Sequence, residues 1–134
     1  MLFTLVALAA TANVQPDVVV GRWQTEVRHG VVEITRCGQS ICGRLADSDG
    51  LKANPALLDA NNKDASLRGR RLLGAQILQG FKWGGGAWEG GTIYNAEDGG
   101  TYKATVTPVG ADQLRLKGCI VWPLCKTQTW TRIR

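Results

Sequence analysis

Hydrophobic and polar residues alternate with a period of two in short stretches along the chain, and turns rich in glycine separate these stretches. Such alternation is typical of β-strands that bury one face. We predict an all-β chain of eight strands, which cover residues 19–27, 31–37, 41–46, 76–83, 87–94, 101–107, 113–119 and 125–133. Their hairpin-length links favour a closed antiparallel up-and-down barrel, because closure leaves no sheet edge exposed. A sandwich of two sheets is the alternative.

The alternation also assigns side chains to the two faces of the predicted strands. In the first strand Trp23 and Val27 share the inward face. In the last strand Cys125 is expected to point outward, because its predicted partner on the preceding strand shares a face with two basic residues. Trp130 and Arg132 then point inward.

One connection is much longer than the others and lies between the third and fourth strands. Residues 47–71, which we call the long connection, are polar and show no alternation. Their Asn and Asp residues can cap short helical turns. Because long ordered connections are often functional, this segment is a candidate site.

The composition fits one globular domain. A chain of 134 residues has room for a single core, and 44% hydrophobic with 20% charged residues exclude a disordered chain. Seventeen glycines agree with many tight turns. The net charge of +5 favours anionic partners.

The first twelve residues, MLFTLVALAATA, carry no charge and end in the small-residue pattern Ala10-Thr11-Ala12. This pattern is typical of an export signal, although no Lys or Arg precedes the apolar run. We predict a signal peptide over residues 1–12 and a single domain over residues 13–134, located in the periplasm or secreted. A buried N-terminal strand or helix is the alternative. The run is too short to span a bilayer, so we expect no membrane span. Because the protein is predicted to be exported, we expect no nucleic-acid partner.

The four cysteines form two closely spaced pairs, in CGQSIC and CIVWPLC. An even number of cysteines in a small exported domain indicates disulfides. Of the three pairings we favour Cys37–Cys42 and Cys119–Cys125, because each segment looks like a hairpin loop that holds its cysteines opposite each other. A zinc site is the rival, but a single histidine, His29, disfavours it. We predict no metal and no cofactor.

The two ends of the chain carry a pattern found in closed antiparallel barrels. Gly21 and Trp23 in the first strand, with Arg132 in the last, resemble the calycins, a group that includes the lipocalins. In that group the arginine lies over the indole and closes one end of the barrel. We therefore expect a structural clasp of Gly21, Trp23, Trp130 and Arg132.

Residues 21–132 as a whole resemble a family of small exported bacterial proteins, domain of unknown function 2147. The resemblance rests on GRWQTE, VVEITRCGQSICGR, Asp59 and Asn62 before LRGRRLLG, WEGGTIYNAEDGGTY, and GCIVWPLCKTQTWTR, in that order. It implies a calycin-like barrel and no established activity. The chain departs from the usual pattern at Lys63, Arg71 and the pair Asn95-Ala96.

Four aromatic side chains are candidates for lining a ligand pocket: Trp83, Trp88, Tyr94 and Tyr102. Trp88 and Tyr94 are expected to share one strand face, with Tyr102 inward on the next strand. Such rings can line a pocket with their hydroxyls as polar groups, or they can simply fill the core of a small barrel.

Polar and basic side chains on the long connection form a second candidate group, which consists of Asp59, Asn62, Arg68 and Arg70. Together with Lys63 and Arg71 they could bind a lipid headgroup, an envelope polysaccharide or another anion. The alternative is a solvated loop whose arginines pair with Asp59 and Asp64.

The sequence gives little support for catalysis. Glu97 and Asp98 could do acid–base work, but Asp before Gly is typical of a hairpin turn. We find no nucleophile motif, phosphate loop or metal cluster in the sequence, so we predict no catalytic residue and no enzyme.

Two functions remain. The first is a non-enzymatic envelope barrel that binds a small, partly apolar molecule, and this function requires an open cavity. The second is a binding or inhibitor module that uses its outer surface, such as residues 59–71, against a protein or an anionic envelope polymer. The second function predicts a filled barrel and salt-sensitive binding.

Overall fold

A computed structural model of the protein describes residues 14–121 and 124–134. In this part of the chain it contains one short helix, nine strands, and 3-10 turns at Pro16–Val19 and Ala65–Leu67. The elements are β1 Gly21–Gln24, β2 Val31–Cys37, β3 Ser40–Asp47, α1 Asp49–Ala53, β4 Gln76–Gln79, β5 Lys82–Trp83, β6 Trp88–Asn95, β7 Gly100–Pro108, β8 Gln113–Val121 and β9 Leu124–Ile133. The predicted signal peptide lies outside the described residues.

Eight of these strands close into an antiparallel barrel. Their order around the barrel is β4-β3-β2-β1-β9-β8-β7-β6, and β4 pairs with β6 to complete the ring. The remaining strand, β5, is short and pairs with β6 only. The predicted up-and-down barrel is confirmed, and the closing pair β4–β6 excludes the sandwich.

The strand predicted over residues 76–83 is interrupted and forms both β4 and β5. Gly80, between them, has a φ of 78°, in the left-handed region that favours glycine. The Phe81 N–H at this break donates to the Ser40 hydroxyl at 2.9 Å. The Phe81 ring packs on Gly91, where an added Cβ would lie 2.4 Å from the ring. Glycine at residue 91 is therefore needed for this contact.

The first strand is shorter than predicted, because the chain leaves the sheet after Gln24. Arg28 and His29 adopt left-handed φ values of 51° and 50° in the turn to β2. Val27 lies in this turn and is 40% exposed. The prediction that Val27 shares a strand face with Trp23 is therefore wrong, because residue 27 lies beyond the end of the strand.

Turns lie alternately at the two ends of an up-and-down barrel. We call the end with the 3-10 turn Pro16–Val19 the closed end, and the end with the long connection the open end. The largest fully buried side chains include Trp23 and Trp88. Both contact the 3-10 turn through their indole N–H groups, at Val19 O and Pro16 O. These two indoles therefore belong to the closed end.

Arg132 closes this end. It pairs directly with Trp23 between β9 and β1, and its guanidinium carbon lies 4.3 Å from the centre of the Trp23 ring. The guanidinium donates to Val18 O at 2.5 Å and Val20 O at 2.9 Å. The Arg132 Nε–H donates to Ala111 O at 2.8 Å. The last strand is thereby joined to the segment before the first strand.

Gly21 makes room for the arginine. Its φ is 142°, and a Cβ at this position would lie 2.4 Å from Nη1 of Arg132. A side chain here would collide with the guanidinium and would also strain the backbone.

A second arginine covers the other buried indole of the closed end. The guanidinium carbon of Arg36 lies 5.0 Å from the centre of the Trp88 ring, and its Nε lies 3.4 Å from the Asp17 carboxylate. Both Asp17 and the Trp88 acceptor Pro16 belong to the 3-10 turn. The turn is therefore held against the closed end by two arginine–tryptophan pairs.

Candidate functional site

The barrel encloses a cavity of about 950 Å³ at its open end. The turn between β1 and β2, the long connection, the β6–β7 turn and the β8–β9 hairpin border its mouth. Seven buried or half-buried apolar side chains form its walls: Val32, Leu45, Ile77, Ile93, Ala104, Leu116 and Trp130. The interior of the barrel is thus filled at the closed end and open at the other.

A β-bulge in β4 brings Ile77 to the cavity. Gly43 pairs with Leu78 and Arg44 pairs with Gln76, so Ile77 of β4 has no paired residue on β3. Such an extra residue breaks the alternation of the strand. Ile77 and its neighbour Leu78 are consequently both buried.

Trp130 and Gln128 place a polar group on the cavity wall. The Trp130 indole is 2% exposed and donates its N–H to the Gln128 side-chain oxygen at 3.0 Å. Both side chains border the cavity. The amide nitrogen of Gln128 is a donor that a polar group of a ligand can use.

Tyr102 lies at the mouth and donates its hydroxyl hydrogen to the Asp98 carboxylate. This hydrogen bond raises the pKa of Tyr102 above its ordinary value of 10.0, with smaller contributions from burial and from the Asp98 charge. The tyrosine hydroxyl is therefore protonated at neutral pH.

The two acidic residues of the β6–β7 turn make local contacts. Asp98 also accepts the Gly100 N–H at 2.7 Å, and Glu97 pairs with Arg28 at 2.5 Å. These contacts favour the turn interpretation of Glu97 and Asp98 over acid–base work.

The long connection carries a buried carboxylate, Asp59, which is 1% exposed. Its Oδ2 accepts from Arg70 Nε at 2.9 Å and from Asn62 Nδ2 at 2.8 Å. Its Oδ1 accepts from the Tyr94 hydroxyl at 2.5 Å. Arg68 donates to the Asn62 backbone carbonyl at 2.8 Å. The four predicted residues of the connection therefore form one network with Tyr94.

Tyr94 lies beneath this network. The guanidinium carbon of Arg70 lies 5.2 Å from the centre of the Tyr94 ring. Burial, followed by the hydrogen bond to Asp59, raises the pKa of Tyr94 well above its ordinary value of 10.0. Both effects disfavour the phenolate, because an anion would lose hydration and face a second anion.

Further contacts dock the connection onto the β6–β7 turn. Asn61 Nδ2 donates to Glu97 O at 3.2 Å, and Lys63 N donates to Gly99 O at 3.1 Å. Gly99 has a φ of 73°, and a Cβ there would lie 1.7 Å from Asn61 O. The connection is thus an ordered wall of the cavity mouth, and its polar residues are largely used internally.

Two of the four predicted pocket aromatics do not border the cavity. Trp83 and Trp88 lie against each other, with their ring centres 5.4 Å apart, and Trp88 is part of the closed end. Tyr94 and Tyr102 do border it. The proposed lining is corrected accordingly.

The prediction that Trp88 and Tyr94 share a strand face is also wrong. Trp88 pairs with Val106 and Tyr94 with Thr101, and a register shift lies between Trp88 and Gly91. Val106 and Thr101 are an odd number of residues apart on a regular strand, so the two aromatics lie on opposite faces.

Trp130 has a different position from the one predicted. It points inward, as expected, but its side-chain contact is with Gln128 and it borders the cavity. It is not among the described contacts of Arg132 at the closed end. The alternation in the sequence predicts that residues 128 and 130 point inward. It does not show at which height along the barrel axis they lie.

Both predicted disulfides are present, Cys37–Cys42 and Cys119–Cys125. His29 is exposed and lies 3.0 Å from the Asp49 carboxylate. Among residues 14–121 and 124–134, no group of three His, Cys, Asp or Glu side chains is arranged to hold a metal ion. Within the same residues, no helix has the length and apolar character that crossing a bilayer requires.

The fold is that of a lipocalin-like barrel. A solved Helicobacter pylori protein, described as belonging to the lipocalin family, superposes with a TM-score of 0.76 and 24% sequence identity. The match covers 86% of this chain and 82% of that one. No curated protein matches the chain in sequence.

The family model described as "uncharacterized protein conserved in bacteria (DUF2147)" matches residues 21–132. The chain therefore belongs to the family of domain of unknown function 2147. The matched range begins at Gly21 and ends at Arg132, the two residues in contact at the closed end.

Proposed function

We propose that the protein binds a small, partly apolar molecule in the cavity at the open end of the barrel, without catalysing a reaction on it. The observation that carries this proposal is the open cavity itself. Its volume of about 950 Å³ lies at the upper end of the size range of ligand pockets, roughly 300 to 1,000 Å³. A core filled along the whole barrel axis would have had no such space.

The distribution of polar groups supports an amphipathic ligand. The inner walls are apolar side chains from seven strands, whereas Tyr102, Asn61 and Arg28 lie at the mouth. The apolar part of a ligand gains free energy by leaving water inside the barrel, on the order of 25 cal/mol per Å². Its polar end then lies among hydrogen-bonding groups near solvent.

The contacts of the long connection do not favour the outer-surface alternative. Arg70 forms a salt bridge with Asp59, and Arg68 donates a hydrogen bond to a backbone carbonyl. These are internal contacts, so the predicted anion-binding group is largely committed to holding the connection in place. The alternative also required a filled barrel.

An extracytoplasmic location, periplasmic or secreted, is part of the proposal. Structural disulfides persist in oxidising compartments and are rare in the cytosol. The two disulfides support this location, together with the export signal predicted from residues 1–12.

The experiment compares two substitutions on neighbouring residues of β7. Ala104 is 5% exposed and borders the cavity, whereas Thr105 is on the other face of the strand. Ala104→Phe places a ring in the cavity, and Thr105→Phe is the matched control. Binding is measured by titration with a fluorescent apolar probe, 1-aminoanthracene, and by native mass spectrometry of co-purified molecules.

We expect Ala104→Phe to weaken probe binding at least about tenfold, which corresponds to 1.4 kcal/mol, while Thr105→Phe binds like wild type. Urea unfolding of both variants ensures that the comparison is made on folded protein. Equal binding by the wild type and Ala104→Phe, or no binding by the folded wild type, would refute the proposal.

A further inference from the structure

The mouth of the cavity carries exposed hydrophobic side chains. Ile120 is 73% exposed and Leu124 is 65% exposed, the two highest values among the exposed large hydrophobic residues of the described chain. Val27 and Leu58 also border the cavity and are 40% and 46% exposed. Four exposed apolar side chains from three different loops thus surround one opening. We call them the apolar rim.

The most exposed part of the apolar rim is held in place covalently. Ile120 and Leu124 lie between Cys119 and Cys125, whose disulfide has a Cα–Cα distance of 4.0 Å. The sequence from Ile120 to Leu124 contains no charged residue. A loop that is already restrained loses less conformational entropy when a partner covers it. Ile120 and Leu124 are therefore held beside the mouth at two strand ends that the disulfide joins.

Clustered exposed hydrophobic side chains mark surfaces that contact a ligand, a protein or a membrane. The charged groups at this mouth are Arg28, Lys117 and Lys126 together with Glu97 and Asp98. Arg28 pairs with Glu97, and Asp98 accepts from Tyr102. Lys126 is exposed and lies on β9 next to the disulfide.

From these observations we propose that the apolar rim docks onto a lipid bilayer surface, with Ile120 and Leu124 inserted among the lipid chains and the cavity mouth facing the bilayer. The net charge of +5 favours an anionic lipid surface. The same charge opposes a second copy of this chain as the occupant, because two positively charged molecules would repel each other.

This inference rests on the proposed function, since it concerns how an apolar ligand reaches the cavity. A molecule that passes directly between the bilayer and the barrel interior avoids exposing its apolar part to water. The ligand class is then an amphipathic molecule of the kind that dissolves in a bilayer, with an acyl or similar chain.

The test uses the full folded chain and vesicle sedimentation. Vesicles contain phosphatidylcholine alone, or phosphatidylcholine with about one quarter phosphatidylglycerol. The double variant Ile120→Ser with Leu124→Ser removes the two most exposed side chains of the apolar rim without changing the net charge. The matched control is Val14→Ser with Val109→Ser, because both residues are exposed and neither borders the cavity.

We expect the wild type and the control to sediment with vesicles, more strongly with the anionic ones. The Ile120→Ser/Leu124→Ser variant should lose at least about tenfold in apparent affinity for vesicles, or 1.4 kcal/mol. The Ala104→Phe variant should lose its affinity for 1-aminoanthracene and still sediment with vesicles. A wild type that binds 1-aminoanthracene but does not sediment would mean that docking alone fails, whereas a wild type that sediments without binding the probe would mean that the cavity proposal alone fails.

Three results would overturn the docking proposal. One is a wild-type protein that stays in the supernatant with both kinds of vesicle. Another is an Ile120→Ser/Leu124→Ser variant that sediments as well as the control. The third is a wild-type dimer, detected by light scattering, that this variant converts to a monomer, since a second copy would then cover the apolar rim.

Discussion

Arg132 is the residue through which the two ends of the chain hold each other. Its guanidinium donates to three backbone carbonyls and lies over the Trp23 ring, while its side chain is only 16% exposed. A planar guanidinium offers five donors in a rigid fork and stacks on a ring, whereas a lysine ammonium offers three donors on a flexible stem. The closed end therefore depends on arginine in particular.

Replacing Arg132 by Ala should lower the free energy of unfolding by about 2 to 4 kcal/mol, since an arginine–indole contact and charge-assisted hydrogen bonds are lost. Arg132→Lys should recover only part of this loss. Urea denaturation measures both values. Arg134→Ala is the control, because Arg134 is 71% exposed. An Arg132→Ala variant as stable as wild type would show that the arginine does not hold the closed end.

The Tyr94 hydroxyl contributes to the stability of the fold, and this contribution is lost at alkaline pH. The folded-state pKa of Tyr94 is raised above the unfolded value of 10.0. The contribution is therefore fully present below pH 10 and is lost as the pH rises from there towards the folded-state pKa. We expect stability to decline above about pH 10, and to decline less steeply in Tyr94→Phe. Urea unfolding at pH 9 to 11 measures both slopes, and identical slopes would contradict the assignment.

At the scale of elements, alternation in the sequence predicts most of the strands. The stretch 31–37 is observed as β2 with the same bounds, and the pairs Val32–Leu45 and Trp23–Arg132 lie in register as inward neighbours. Alternation fails at the bulges in β4 and β6. A bulge depends on how two strands match, so no pattern within one strand reveals it.

The β8–β9 hairpin is the element on which the docking proposal depends. Removal of its disulfide by Cys119→Ser with Cys125→Ser should lower the free energy of unfolding by about 2 kcal/mol, because the unfolded chain is no longer restrained by a short closed loop. Urea denaturation of this variant and of the wild type, both without reducing agent, measures the effect. Unchanged stability would mean that backbone pairing alone holds the hairpin.

At the scale of the whole molecule, the barrel could be predicted and its cavity could not. Strand number and hairpin-length links indicate closure. Whether the interior is filled depends on the summed volumes of side chains from eight strands at each height of the barrel. Trp88 and Trp130 both point inward in the sequence pattern, yet one fills the closed end and the other borders the cavity.

The sequence also does not predict where the long connection packs in the fold. Asp59, Asn62, Arg68 and Arg70 could be picked out as a group, but Tyr94, which contacts Asp59 and Arg70, lies on a strand that follows later in the chain. In the fold this group stabilises a wall of the mouth. Its residues therefore support the cavity without lining it.

If the open end of the barrel holds an apolar ligand, the tryptophan indole signals in a nitrogen–proton NMR spectrum will report its binding. The chain has five tryptophans. Trp130 borders the cavity, whereas Trp23 and Trp88 bond to the 3-10 turn at the closed end. During titration with a medium-chain fatty acid, we expect the Trp130 signal to shift and saturate while the Trp23 and Trp88 signals stay in place. Shifts confined to backbone signals of the long connection, with Trp130 unmoved, would contradict it.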